Sequence, residues 1–126
     1  MLAVDTNVLV RLITRDDERQ LASAAEFVAK GAWVSHLVLA ETMWVLVAAY
    51  ELEHAAIVTA VEMLLDHEHL SVQDADVVTA ALDRFRSQRS VSFSDCLVLE
   101  IARKAGHTPL GTFDRALSRL PGAQRL

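Results

Sequence analysis

Four carboxylates stand out by type and position: Asp5, Glu41, Asp95 and Asp114. Asp5 follows the short apolar run Leu2-Ala3-Val4, and Asp114 follows Leu110-Gly111-Thr112-Phe113. Asp95 opens the apolar-periodic stretch that begins at Ser94. Glu41 is the one ionisable residue between Leu37 and Tyr50, and its helical neighbours Leu37, Val38, Trp44 and Val45 include no Lys or Arg that could pair with it. Carboxylates gathered in one place repel each other, and a cation removes that cost. Four carboxylates without a His/Cys cluster suit a hard ion with oxygen ligands, so Mg²⁺ or Mn²⁺ fits better than zinc. Such an ion polarises a phosphoryl oxygen and lowers the pKa of a bound water, and the chemistry expected is attack on a phosphate ester.

Each position also has a plainer reading. Asp5, Asp95 and Asp114 can each cap or charge a helix N-terminus, an effect of about 1 kcal/mol. Three of them at helix starts on one expected side of a sheet favour a shared site. For Glu41 there are two readings. A carboxylate buried in an apolar helix must neutralise or meet a cation. Alternatively, Glu41 lies on a narrow exposed strip with Ala48.

The elements that would carry these residues alternate between strand and helix. Leu2-Ala3-Val4 reads as a short buried strand, and Asn7 to Arg15 and Asp17 to Lys30 as helices, with Gly31 a stop for the second. A strand over Ala32 to Ser35 precedes an apolar helix over Leu37 to Tyr50 and another over Ala55 to Asp66. A third strand follows at His69 to Val72. Then come helices at Ala75 to Gln88 and Ser94 to Lys104, a strand at Thr108 to Phe113 and a short helix at Asp114 to Leu120. This order predicts a three-layer α/β/α sandwich around a central parallel sheet. In such sheets ligands bind beyond the carboxyl ends of the strands, where Asp5 and Asp114 fall.

The length of 126 residues fits one domain, residues 1–126, with a core that needs no staples. Hydrophobic residues make up 52% of the chain, which excludes intrinsic disorder. The single cysteine, Cys96, permits no internal disulfide and agrees with a reducing, cytoplasmic setting; it reads as a small packed hydrophobe. The start Met-Leu-Ala-Val-Asp lacks a basic n-region, so no signal peptide is expected, and no apolar run is long enough for a membrane span. A net charge of −5 counts against a pure nucleic-acid-binding module, less against a nuclease whose acidic site holds part of that charge. Trp33, Trp44 and the phenylalanines are scattered and read as core.

Val4-Asp5-Thr6-Asn7-Val8-Leu9, Ala40-Glu41 in an apolar helix, Phe93-Ser94-Asp95 at a helix start and Thr112-Phe113-Asp114-Arg115 near the end resemble, in that order, the motifs of the PIN-domain family. More narrowly, the chain resembles the VapC-type toxins of bacterial type II toxin–antitoxin systems, over nearly its whole length. Where that group commonly has Ala on either side of the third acidic residue, this chain has Ser94 and Cys96, both small. The resemblance implies a PIN fold and a Mg²⁺- or Mn²⁺-dependent endoribonuclease cutting structured RNA such as tRNA or rRNA. It implies Asp5 and Asp95 as central metal ligands, Glu41 and Asp114 completing the pocket, and Thr6, Asn7 and Thr112 as a supporting shell. Asn7 and Thr112 would hydrogen-bond the carboxylates. It also implies a VapB-like antitoxin and a homodimer.

An RNA substrate needs positive charge nearby. Arg11 and Arg15 lie one turn apart on the helix after Asp5, Arg115 adjoins Asp114, and Arg84, Arg86 and Arg89 form a further basic group. Arg11 and Arg115 are the first candidates. Competing readings are a metal-dependent phosphatase or flap-type nuclease with the same acidic pocket, and a non-enzymatic regulatory module, either an inactive PIN-like scaffold or a receiver-like domain. The receiver-like reading needs a late Lys after a strand, and the only lysines, Lys30 and Lys104, sit at helix ends.

Overall fold

The computed structural model describes residues 1–126, which divide into two compact units, Met1–Ala75 and Asp76–Leu126. The first unit holds β1 (Leu2–Ala3), α1 (Thr6–Thr14), α2 (Glu18–Val28), β2 (Ala32–Val34), α3 (His36–Ala48), α4 (His54–Asp66) and β3 (Leu70–Val72). The second begins at α5 (Ala75–Ser87) and continues with α6 (Phe93–Ala105), β4 (Leu110–Thr112), α7 (Arg115–Ser118) and β5 (Ala123–Arg125).

In the first unit the strands form one parallel sheet in the order β1-β2-β3, with Leu2 opposite Ala32 and Ala32 opposite Leu70. β1 is therefore an edge strand. Leu2 is 41% exposed, so the expected burial of this strand begins only at Val4. The central strand is covered instead: Ala32 and Val34 are fully buried. Helix starts follow local chemistry. Asp5, Asp17 and Ser35 cap α1, α2 and α3, each through a side-chain oxygen that accepts a hydrogen bond from the backbone N–H three residues on. α1 packs on α2 and α3, with Leu9, Leu39 and Leu46 at zero exposure.

In the second unit β4 and β5 form a two-stranded parallel sheet. β5 was not expected. Ala-Gln-Arg carries no strand pattern, and its pairing depends on the turn before it, where Leu110 N–H donates to the Gly122 carbonyl at 2.8 Å. Gly122 there has φ of +93°, a backbone state suited to glycine. Ser92 caps α6, and Gly106 closes it in the left-handed conformation. The T-shaped pair of Phe85 and Phe93, both buried, joins α5 to α6.

The aromatic residues do not all enter the core. Phe85 and Phe93 are buried, but Trp33 and Phe27 are each 39% exposed, Trp44 is 67% exposed and Phe113 is 78% exposed. Every strand pairing is parallel, as the alternating pattern predicted, although the strands divide between two sheets.

Candidate active site

The four carboxylates divide evenly, with Asp5 and Glu41 in the first unit and Asp95 and Asp114 in the second. Within neither unit do three or more His, Cys, Asp or Glu side chains gather as a metal cage.

Asp5 sits at the junction of β1 and α1. It is the N-cap, in extended conformation, and its Oδ1 accepts the Val8 N–H at 3.2 Å. Asp114 stands in the same relation to β4 and α7: its Oδ1 accepts the Leu117 N–H at 2.8 Å. The capping reading therefore holds for both. A cap occupies one carboxylate oxygen and leaves the other to a ligand, so the two roles are compatible. Asp95 differs. The cap of α6 is Ser92, whose Oγ accepts the Asp95 N–H at 3.1 Å, and Asp95 lies in the first turn with its carboxylate not required for the cap.

Glu41 is exposed, midway along a helix that is apolar on nearly every side. The exposed-strip reading is the one observed: Leu37 at 76%, Trp44 at 67% and Val47 at 53% exposure share this side with Glu41 and Ala48. The cost of burying a lone carboxylate therefore does not bear on Glu41. None of the four acids joins a Lys or Arg in an ion pair within its own unit, unlike Asp16, Asp76, Asp83 and Glu100, although other acids such as Asp17, Glu18 and Glu26 share that state. Oxygen donors left without a protein counter-charge fit a hard divalent ion.

The supporting residues act mainly through the backbone. The Thr112 hydroxyl oxygen accepts the Asp114 N–H at 3.0 Å, so it holds the residue rather than its carboxylate. Thr6 is buried in the first turn of α1, and Asn7 is exposed beside it. Cys96, next to Asp95, is fully buried, and burial together with the neighbouring Asp95 charge pushes its thiol up to about 11. It packs as a small hydrophobe and is no nucleophile.

The expectation for Arg11 changes most. Its Nη1 donates to Asp16 Oδ1 at 2.9 Å and to the Tyr50 hydroxyl at 3.1 Å, and its Nε donates to Gln20 Oε1. Tyr50 in turn donates to Asp16 Oδ2 at 3.0 Å, and the Thr14 hydroxyl donates to Asp16 Oδ1 at 2.8 Å. This network ties the C-terminal ends of α1 and α3 to the start of α2. The Thr14 hydrogen bond is the largest influence holding Asp16 below its ordinary pKa, with Tyr50 and the Arg11 charge adding to it. Arg11 is thus a structural staple. Arg15 ends α1 in the left-handed conformation and lines a separate groove with Leu12 and Glu18. Arg115 is exposed beside Asp114. Sequence reasoning passed over Arg19, which lines the groove between α1 and α2. Its signal was the helical spacing of Arg19, Ser23 and Phe27 along one side of α2.

Residues 2–123 match the PIN domain. Among solved structures, the chain is similar to VapC20 of Mycobacterium tuberculosis, described as a sarcin–ricin loop cleaving toxin, at 23% identity over 98% of each chain with a TM-score of 0.44. No curated protein matches the sequence closely enough to count as a relative.

Proposed function

The chain belongs to the PIN domain family, and from that membership we propose that it is a Mg²⁺- or Mn²⁺-dependent endoribonuclease, built as one PIN domain over residues 1–126 and serving as a VapC-type toxin. The observation that carries this reading is the PIN-domain match over residues 2–123, which spans all four acids. Asp5, Glu41, Asp95 and Asp114 stand in the segments that resemble the family's acidic motifs, and none is neutralised by a basic side chain within its unit. In the proposal Asp5 and Asp95 are the principal ligands and Glu41 and Asp114 complete the set.

When bound, the divalent ion supplies polarisation of a phosphoryl oxygen and a more acidic water. The reaction is in-line attack of a water oxygen on phosphorus. The P–O3′ bond breaks, the O3′ takes up a proton, and the products are a 5′-phosphate and a 3′-hydroxyl. The protein's own residues hold the acids in place. The α1 and α7 caps fix Asp5 and Asp114, the Ser92 cap fixes the turn that carries Asp95, and in this reading the exposed Arg115, next to Asp114 in sequence, meets a phosphate.

The motif resemblance supports a structured substrate such as tRNA or rRNA, with action in the cytoplasm. No helix is long and apolar enough to cross a membrane. The exposed apolar strip of α3, Leu37, Trp44 and Val47, supports a protein partner, a VapB-like antitoxin or a second copy of the chain, because such a surface is costly to leave in water.

The test is cleavage of a structured RNA with added Mg²⁺ by wild-type protein and by Asp5→Asn and Asp95→Asn, alongside calorimetric Mn²⁺ titration of each. Loss of both cleavage and ion binding in folded variants is the expected result. Full activity in either variant overturns the mechanism.

A further inference from the structure

The groove between α1 and α2 has a volume of about 540 Å³ and runs from Asn7, two residues beyond Asp5, to Phe27. The α1 wall contributes Asn7, Val8 and Arg11, and the α2 wall contributes Arg19, Gln20, Ser23 and Phe27 with Ala24 at the floor. No acidic residue lines it, although the chain has 17 Asp and Glu and a net charge of −5. Arg11 is neutralised by Asp16, but the exposed Arg19 makes no ion pair. The groove therefore has a positive lining in a negative protein, which selects an anionic ligand.

We infer that this groove binds a single-stranded stretch of RNA that leads to Asp5, with Arg19 on a backbone phosphate and the exposed ring of Phe27 under a base. The shape supports a single strand. Packed helices lie about 8–10 Å apart, too close to admit an A-form duplex between them, whereas an unpaired strand offers its phosphates and base faces separately. Asn7, Gln20 and Ser23 supply donors and acceptors along the walls, and Phe27, 39% exposed, presents a flat apolar surface for stacking. The hydrogen bond from Arg11 to Gln20 joins the two walls. The remaining candidate occupant is a peptide from a protein partner. An unpaired arginine and the absence of acidic lining favour the polyanion.

The inference rests on the ribonuclease reading for its substrate, but it is tested by binding alone. A fluorescent single-stranded oligoribonucleotide is titrated into Asp5→Asn protein with and without Arg19→Ala or Phe27→Ala, at several salt concentrations. Arg19→Ala is expected to weaken binding about tenfold and to flatten the salt dependence by about 0.7 in slope, the amount due to one lost phosphate contact. Phe27→Ala is expected to weaken binding about fivefold or more without changing that slope, and Phe27→Tyr to restore it. A duplex of the same sequence is expected to be insensitive to both changes. Unchanged affinity and slope in Arg19→Ala overturn the inference. So does a loss of antitoxin-peptide binding with RNA binding intact, which assigns the groove to a protein. If Arg19 governs RNA binding but wild-type protein cuts no RNA, the groove stands and the nuclease reading falls.

Discussion

Asp5 has two structural roles that one pair of substitutions separates. As the N-cap of α1 it needs an oxygen acceptor for the Val8 N–H, 3.2 Å away; as a metal ligand it needs a negative charge. Asn keeps the acceptor and loses the charge, while Ala loses both. Asn and Asp rank about equally as caps, so Asp5→Asn is expected to change stability by no more than about 0.5 kcal/mol, and Asp5→Ala to cost about 1 kcal/mol. With an unfolding entropy of about 2.1 cal/mol/K per residue, 126 residues convert 1 kcal/mol into about 4 °C of thermal midpoint. Calorimetry in EDTA resolves that difference and excludes any contribution from bound ion. Cleavage, measured on a structured RNA with added Mg²⁺, is expected to fall on the order of a hundredfold or more in both variants, because the charge is gone from both. An Asn variant that keeps full activity would reduce Asp5 to a cap. An Asn variant as unstable as the Ala variant would show that the charge, and not the hydrogen bond, stabilises the helix start, and the separation of roles would fail.

Other outcomes follow from the same geometry. Asp16 has a folded pKa below its ordinary 3.8, with the Thr14 hydrogen bond the largest cause, so its contribution is present above that value and is lost as pH falls through the folded pKa. Acid titrations of stability for wild type and Asp16→Asn should therefore differ at neutral pH and converge once pH has fallen through the folded pKa of Asp16. Cys96, buried with its thiol pushed up to about 11, should react with a thiol reagent only as fast as the protein opens, and any native-state labelling as rapid as that of a free thiol contradicts this. Ser92→Ala removes the acceptor for the Asp95 N–H and should lower stability by about 1 kcal/mol in denaturant titrations, with cleavage retained far better than in Asp95→Asn.

The element order was legible because it rests on interactions within a few residues. The caps at Asp5, Asp17, Ser35 and Asp114 each bond a backbone N–H three positions away, and Gly106 closes α6 where a left-handed residue was needed. The local settings of the four acids were legible for the same reason: each stands just past a strand end or within one helix. Where expectations failed, the deciding partner was distant. The tie of Arg11 to the Tyr50 hydroxyl was not legible because the two lie 39 residues apart. β5 went unseen because its three residues become a strand only opposite β4.

The sequence by itself determined every helix and every strand but β5, the acids that cap α1 and α7, and the PIN family to which residues 2–123 belong. Tertiary structure alone decided which apolar residues meet water. α3 is apolar on nearly all sides, so no periodicity in its sequence distinguishes the side bearing Leu39 and Leu46 from the side bearing Leu37, Glu41 and Trp44. Packing against α1 buried one and left the other exposed, because solvent exclusion depends on neighbours that the local sequence does not contain.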